Sequence, residues 1–203
     1  MNEPVQSNVP IIDKVNMDAI EAFCREVYYC DPYTSMHEEH VAELMAGLAS
    51  QLGMNSNEIS LAFIVGLVHD VGKIKIPEYI LTKPGKLTAE EFSIMKEHAE
   101  QGAAMLAAVE GADFIVPIMR HHHERYDGNG YPSGLSGISI PLLSRMLAVC
   151  DSFDAMTTHR CYREPVTLEA SVEEIRHCSG TQFDPAIAEV FIQFLKERFG
   201  FSI

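Results

Sequence analysis

Helical signals recur along this 203-residue chain, and no segment shows the sustained apolar–polar alternation of a half-buried strand. Asn55 with Glu58, and Thr88 with Glu91, have the spacing of capping boxes. Predicted helices cover residues 17–29, from a cap at 31–34 to 51, 55–69, 88–109, 114–123, 142–159, 168–177 and a last helix that begins at the Asp-Pro pair 184–185. Two prolines and a glycine predict a loop over 77–85. The sequence therefore predicts an all-α fold.

The chain is long enough to bury a core as a single domain, and its hydrophobic content of 47% is ordinary for a globular protein. Residues 1–15 carry two prolines and no periodicity, which predicts a tail or a linker remnant. We expect residues 16–203 to form one helical bundle.

Charge and cysteine content narrow the possible functions. The formal net charge of −14 disfavours binding to nucleic-acid polymers, which requires a basic surface. No apolar run approaches the length of a membrane span, and the N-terminus has no signal-peptide pattern. Five scattered cysteines without a Cys-x-x-Cys motif make a disulfide framework or a thiolate zinc site unexpected. The sequence predicts a cytoplasmic protein with no membrane partner.

Three consecutive histidines, His121, His122 and His123, lie in the middle of the chain, far from either terminus where a purification tag would be. Neutral imidazole is the commonest transition-metal ligand, although the triplet alone is also compatible with a solvated polar turn. A His-Asp pair, His69 and Asp70, ends an apolar run upstream. Alone, that pair is more typical of a capped helix end.

The spacing of further histidines and carboxylates favours a metal site. A helical bundle can direct side chains from several helices into one interior site, and the candidates fall within or at the ends of predicted helices. The candidate ligands are His37, His69, Asp70, His98, His122, His123 and Asp151. They are too many for one ion that keeps an open position, whereas two ions sharing Asp70 would use them. Such a pair clamps a phosphoryl group and acidifies a water molecule.

The chemistry of these ligands favours two divalent ions of iron or manganese over magnesium, which prefers oxygen ligands, while zinc or nickel could also bind. Phosphoester chemistry also needs cations for the phosphate oxygens, and Lys73, Arg160 and Arg163 are candidates. A solvated helix-end lysine and surface salt bridges are the alternatives. Four glycines between 127 and 137 are typical of a loop whose backbone approaches a ligand closely. They are also compatible with an ordinary surface loop that tolerates many residue types.

These motifs resemble the signature of the HD-GYP family of cyclic-dinucleotide phosphodiesterases, a branch of the HD metal-dependent phosphohydrolases. The resemblance is carried by His69-Asp70-Val71-Gly72-Lys73, by His122-His123-Glu124 and by Gly130-Tyr131-Pro132. It extends to the segments 31–34, 151–155, 160–163 and 183–185, and so covers about residues 31–190.

The resemblance implies a single-domain helical bundle of the HD phosphohydrolase type with an interior bi- or trinuclear iron or manganese centre. It implies cyclic di-GMP or 3′,3′-cyclic GMP-AMP as the substrate and the seven candidate ligands as the metal-binding residues. It also implies that Asp70 and Lys73 take part in catalysis, and that Lys73, Arg160 and Arg163 contact substrate phosphate. Tyr131 belongs to a loop associated with substrate and protein partners.

Three positions depart from the family pattern. Tyr33 stands where members with a third metal carry a glutamate, which favours a binuclear centre. His40 replaces the usual arginine, and Cys161 replaces the usual proline between the two arginines. His121 lies outside the ligand pattern and is expected to have a supporting or structural role.

Three hypotheses follow. The first is a binuclear phosphodiesterase that converts a cyclic dinucleotide to the linear dinucleotide. The second is a catalytically silent module that binds nucleotide or partner proteins through the Gly130-Tyr131-Pro132 loop. The third is a phosphohydrolase of the same superfamily with another substrate, such as a nucleotide monophosphate. The complete set of candidate ligands favours the first.

Overall fold

Helices succeed one another along the whole described part of the chain. The structure, a computed structural model, describes residues 12–30, 32–158 and 165–200, without the side chains of residues 13, 30 and 32–35. Its α-helices are α1 (Met17–Cys30), α2 (Pro32–Gln51), α3 (Ser56–Val68), α4 (Glu78–Leu81), α5 (Ala89–Met95), α6 (His98–Leu106), α7 (Val116–Arg120), α8 (Leu142–Thr157), α9 (Leu168–His177) and α10 (Pro185–Phe199). Short 3₁₀ helices lie at Ile12–Lys14, Val71–Lys75 and Gly137–Ser139. The described ranges contain no strand, and the predicted all-α fold is confirmed.

The predicted caps begin the helices at the expected residues. Asn55 accepts from the backbone N–H of Glu58, whose carboxylate accepts in return from the N–H of Asn55 at the start of α3. Thr88 and Glu91 form the same reciprocal pair at α5. Asp184 accepts from the N–H of Ala186 and precedes the proline that opens α10. Each cap satisfies amide donors that have no partner inside the helix.

The long helix predicted over 88–109 is wrong, because the chain forms α5 and α6 with a turn at Lys96 and Glu97. The His98 side chain explains the break. Its Nδ1 donates to the carbonyl oxygen of Met95 at 2.7 Å. In a continuous helix, that oxygen would accept from the backbone N–H four residues later. The turn leaves His98 as the first residue of α6.

Other boundaries also differ from the prediction. The short helix α4 lies inside the predicted 77–85 loop, and α7 is shorter than the predicted helix over 114–123. His121, His122 and His123 therefore lie in the turn after α7. Within the stretch assigned to a tail, Val15 is buried in the core.

The core packs the apolar faces of the long helices against one another. Helix α2 contacts α3 and α8, α10 packs on α2, α8 and α9, and α6 packs on α7 and on the 3₁₀ helix at 71–75. Gly72 allows that last contact, because a β-carbon there would lie 1.9 Å from the carbonyl oxygen of His98. This close approach brings the segment after His69 and Asp70 directly against the start of α6.

Candidate metal centre

The seven candidate ligands come from five parts of the bundle. His37 projects from α2, and Asp151 projects from α8. His69 and Asp70 lie at the end of α3, and His98 begins α6. The last two, His122 and His123, follow α7. Four of the five histidines thus lie at helix ends, where the chain can turn a ring toward the interior.

The ligand atoms form two clusters that share one carboxylate. The first cluster consists of Asp70, His98, His122 and His123, and the second of His37, His69 and Asp70; within each, the ligand atoms lie within 4.8 Å of one another. Oδ1 of Asp70 lies 3.6 Å from Nε2 of His98, and Oδ2 lies 3.4 Å from Nε2 of His69. Asp70 therefore presents one oxygen to each cluster, as a bridging ligand does.

Asp151 adjoins the second cluster through His37. Its Oδ1 lies 3.1 Å from Nε2 of His37, although it is not part of either mutually close group. Its connection to that cluster in this structure is therefore the contact with His37.

Backbone carbonyls fix the orientation of three rings. Nδ1 of His69 donates to Gly66 O at 2.8 Å, and Nδ1 of His122 donates to Met119 O at 2.5 Å, in the same way as His98 donates to Met95. A carbonyl oxygen can only accept, so each Nδ1 carries the proton and each neutral ring keeps its lone pair on Nε2. All three Nε2 atoms are thereby ready to bind a metal.

This arrangement fits a bound cation. Nε2 of His98 lies 3.3 Å from Nε2 of His122, and both atoms carry lone pairs when the rings are neutral. Nε2 of His69 is buried and has no hydrogen-bond partner. Facing lone pairs and an unsatisfied buried acceptor are unfavourable without a positive charge between them. The residues present therefore fit a divalent metal.

The pKa values of His98, His122, His123 and Asp70 keep these four candidate ligands in their metal-binding forms. Burial lowers the pKa of His98 and His122, and burial together with His98 lowers the pKa of His123 to about 3. Burial raises the pKa of Asp70, but Lys73 and His69 lower it more, and the carboxyl stays ionised. Neutral imidazole and an ionised carboxylate are the forms that bind metal.

Asp154 is a site residue that the sequence reasoning missed. Its Oδ2 accepts from Nδ1 of His37 at 2.6 Å, and its Oδ1 accepts from Nδ1 of His40 and from the Thr158 hydroxyl at 3.2 and 3.0 Å. Burial lowers the pKa of His37, but Asp151 and Asp154 outweigh it and raise the pKa to about 9. Its position three residues after Asp151, on the same face of α8, was the available signal.

The His40 departure has a structural consequence. His40 keeps a polar contact with Asp154 at a position where the family usually has arginine. Its ring is half exposed, whereas the Asp154 carboxylate is buried. His40 therefore contacts the same carboxylate that accepts from Nδ1 of the candidate ligand His37.

We expect Asp154→Ala to weaken metal binding about 10- to 100-fold, because the carboxylate orients His37 and increases its basicity. Competition with a chelator of known affinity measures this change. Asp113→Ala removes an exposed aspartate and serves as the matched control. Equal metal affinity in the two variants would show that Asp154 has only a structural role.

Lys73 is a partly buried lysine that pairs with Oδ2 of Asp70. The alternative of a solvated helix-end lysine is therefore wrong. The 3₁₀ helix at Val71–Lys75 brings the two residues together. Its ammonium group contacts the one carboxylate that the two clusters share.

The glycine-rich segment folds back on the centre. The Tyr131 ring lies against the His123 ring, with centroids 4.9 Å apart and planes at 31°. Gly130 lets the segment pass close to the backbone that follows the histidine triplet, since a β-carbon there would lie 2.3 Å from the backbone N of Arg125. Burial, then Asp70 and Asp151, raises the pKa of Tyr131, so that its hydroxyl remains protonated.

The same segment is held at two points along its length and is not a loosely attached surface loop. Oε1 of the buried Glu124 accepts from the backbone N–H of Ser133 at 2.7 Å. The N–H of Asp127 donates to the carbonyl oxygen of Thr181 at 2.8 Å. His121 lies 3.5 Å from Glu124 and outside both clusters, in agreement with a supporting role.

Arg160, Arg163 and Cys161 lie outside the described residues, as does the side chain of Tyr33. The roles predicted for them stay predictions.

A protein-family model described as the HD domain matches residues 20–187. This chain belongs to the HD domain family. The matched range contains every candidate ligand, including the His-Asp pair at the end of α3. The resemblance inferred from the motifs is thereby confirmed at the level of the family.

Curated relatives of this HD domain are phosphodiesterases. A cyclic di-GMP phosphodiesterase of Pseudomonas aeruginosa is 41% identical over 164 residues, which cover 80% of this chain and 39% of the relative. A 3′3′-cGAMP-specific phosphodiesterase of Vibrio cholerae is 37% identical over 172 residues, covering 84% of this chain and 40% of that protein. The chain thus spans less than half the length of these relatives.

A solved structure of a cyclic GMP-AMP-specific phosphodiesterase from V. cholerae shares the fold. It superposes with a TM-score of 0.65 at 18% identity, covering 90% of this HD domain and 50% of the other chain. This likeness confirms the predicted helical bundle of the HD type. Among the described helices, none is long and apolar enough to span a bilayer.

Proposed function

We propose that this HD domain is a metal-dependent phosphodiesterase that hydrolyses a cyclic dinucleotide to the linear dinucleotide. The two clusters that share Asp70 carry the proposal, because a pair of ions bridged by one carboxylate is suited to phosphoester hydrolysis. The names of the curated relatives support the substrate class.

Each residue has a distinct role in this proposal. His37, His69, Asp70 and Asp151 would hold one ion, and Asp70, His98, His122 and His123 the other. Two bound ions would supply Lewis acidity toward the phosphate and acidify a water molecule. Lys73 would stabilise negative charge on the phosphate oxygens, while Tyr131 would close the cleft beside His123.

Iron or manganese is the proposed metal, because the centre combines five histidines with two carboxylates and contains no thiolate. Elemental analysis of the purified protein, with iron reduced or manganese supplied in the assay, tests both the metal and the activity. Hydrolysis of cyclic di-GMP or 3′,3′-cyclic GMP-AMP distinguishes the enzyme from a silent module. A panel that includes nucleotide monophosphates distinguishes it from other HD phosphohydrolases.

We expect hydrolysis to stop mainly at the linear dinucleotide, because Tyr33 provides no carboxylate for a third ion. Chromatography of the products over time measures this outcome, and the Tyr33→Phe variant, which also lacks a carboxylate, is the matched control. Rapid, complete conversion to mononucleotides by protein that holds two ions per chain would contradict the link between metal count and product.

Phosphate binding by Arg160 and Arg163, a protein partner at the Gly130-Tyr131-Pro132 loop and a cytoplasmic location stay predictions. A pull-down with and without that loop sequence would test the partner.

A further inference from the structure

An exposed aromatic ring and a lysine lie next to the proposed cleft and have no role in the metal centre. Phe92 on α5 is 49% exposed, which is unusual for a side chain of this size. Lys96 follows it by four residues, the spacing at which helical side chains are neighbours. Neither belongs to the candidate ligands.

These two residues join Tyr131 in one cluster, which we call the outer wall (Phe92, Lys96 and Tyr131). The Phe92 and Tyr131 rings meet edge to face, with centroids 6.4 Å apart at 83°. The Lys96 ammonium lies 5.4 Å from the centroid of Phe92 and 5.7 Å from that of Tyr131. Because Tyr131 also contacts His123, aromatic rings extend without a gap from the protein surface to a candidate metal ligand.

The outer wall is tied to the metal centre through two connections. The first is the contact between Tyr131 and His123. The second is the carbonyl of Met95, between Phe92 and Lys96 in sequence, which accepts from Nδ1 of His98. The position of α5 is therefore set by the same residues that orient two ligands.

The charge on Lys96 is available to a ligand. Within residues 12–30, 32–158 and 165–200, the lysines that form ion pairs are Lys73 with Asp70 and Lys83 with Glu91. The Lys96 ammonium group, which is in no ion pair within those ranges, lies over two aromatic rings, which hold a cation without neutralising it. In a chain of net charge −14, a cation beside a phosphate site favours an anionic substrate.

We propose that Phe92 stacks on one base of the cyclic dinucleotide and that Lys96 contacts the phosphate that is not cleaved. This inference rests on the proposed function, since it assumes that the other phosphate lies on the metals. A π face and a cation next to each other match a nucleotide, which presents a flat base and a phosphate at short distance. A substrate without a second nucleotide would not use this surface.

Steady-state kinetics on the manganese-loaded protein test the proposal, with cyclic di-GMP and 3′,3′-cyclic GMP-AMP as substrates. We expect Phe92→Ala to raise KM about tenfold with kcat little changed, because stacking acts in the ground and transition states alike. Phe92→Trp should restore KM. Lys96→Met should raise KM and reduce its dependence on salt.

The controls are Tyr79→Ala and Lys86→Met, which alter an exposed aromatic and an exposed lysine outside the outer wall. Metal content and melting temperature show whether the variants keep the fold and the centre. A KM for Phe92→Ala equal to that of Tyr79→Ala would overturn the proposal for Phe92. A KM for Lys96→Met equal to that of Lys86→Met would overturn the proposal for Lys96.

Equilibrium binding of the same dinucleotides in the presence of a chelator separates this inference from the proposed function. Suppose that the unaltered protein binds the dinucleotides but cleaves neither of them with any metal, and that Phe92→Ala weakens this binding. That result would overturn only the proposed function. Cleavage with an unaffected KM would overturn only the role of the outer wall. A protein that neither binds nor cleaves these ligands would overturn both.

Discussion

Asp70→Ala should purify with far less than the two transition-metal ions per chain that we expect of the unaltered protein, and without measurable phosphodiesterase activity. Asp70 is the one residue that belongs to both clusters, so its removal takes a ligand from each ion. It also removes the buried carboxylate that pairs with the Lys73 ammonium group. Elemental analysis after metal loading measures the loss.

The matched control is Asp18→Ala, which removes an exposed aspartate from the first turn of α1. It should retain the metal content of the unaltered protein. Full metal occupancy in Asp70→Ala would contradict the bridging role and, with it, the binuclear assignment.

Lys73→Ala should keep its metals but lose roughly a hundredfold in kcat, equivalent to about 3 kcal/mol of transition-state stabilisation. The ammonium group is not a metal ligand, and bound ions would themselves keep Asp70 ionised when Lys73 is absent. The lost interaction is therefore the one made with the developing charge on the phosphate. Turnover of saturating cyclic dinucleotide, normalised to metal content, measures it.

Lys75→Ala changes an exposed lysine of the same 3₁₀ helix and should have the activity of the unaltered protein. If Lys73→Ala matched Lys75→Ala in turnover and metal content, the pairing with Asp70 would be structural only.

The sequence predicted those helix boundaries that depend on contacts between residues close together in the chain. The capping pair Asn55 and Glu58 acts within four residues, so the start of α3 could be predicted from the chain itself. The break between α5 and α6 could not, because it depends on a ring of His98 that takes the carbonyl of Met95. The helical pattern of apolar residues across 88–109 does not show that a side chain would replace a backbone N–H at this carbonyl.

The candidate ligands were predicted from the residue types and their spacing, but their supporting contacts were not. Asp154 meets His37 across 117 residues of sequence, which only the packing of α8 against α2 determines. The outer wall likewise depends on the glycine-rich segment returning to α5, so no local pattern links Phe92 to Tyr131. Long-range contacts of this kind are the part of the site that requires a structure.

The carbonyls that orient His69, His98 and His122 have a consequence for mutational tolerance. Each belongs to the residue three positions earlier, Gly66, Met95 or Met119, and a main-chain oxygen is present whatever side chain occupies that position. Substitution of these three residues should therefore leave the ring orientations unchanged, unless the new side chain is too large for the space. The orientation of His37 does depend on a side chain, because its partner is the carboxylate of Asp154. We therefore expect a substitution at position 154 to weaken metal binding although it alters no ligand.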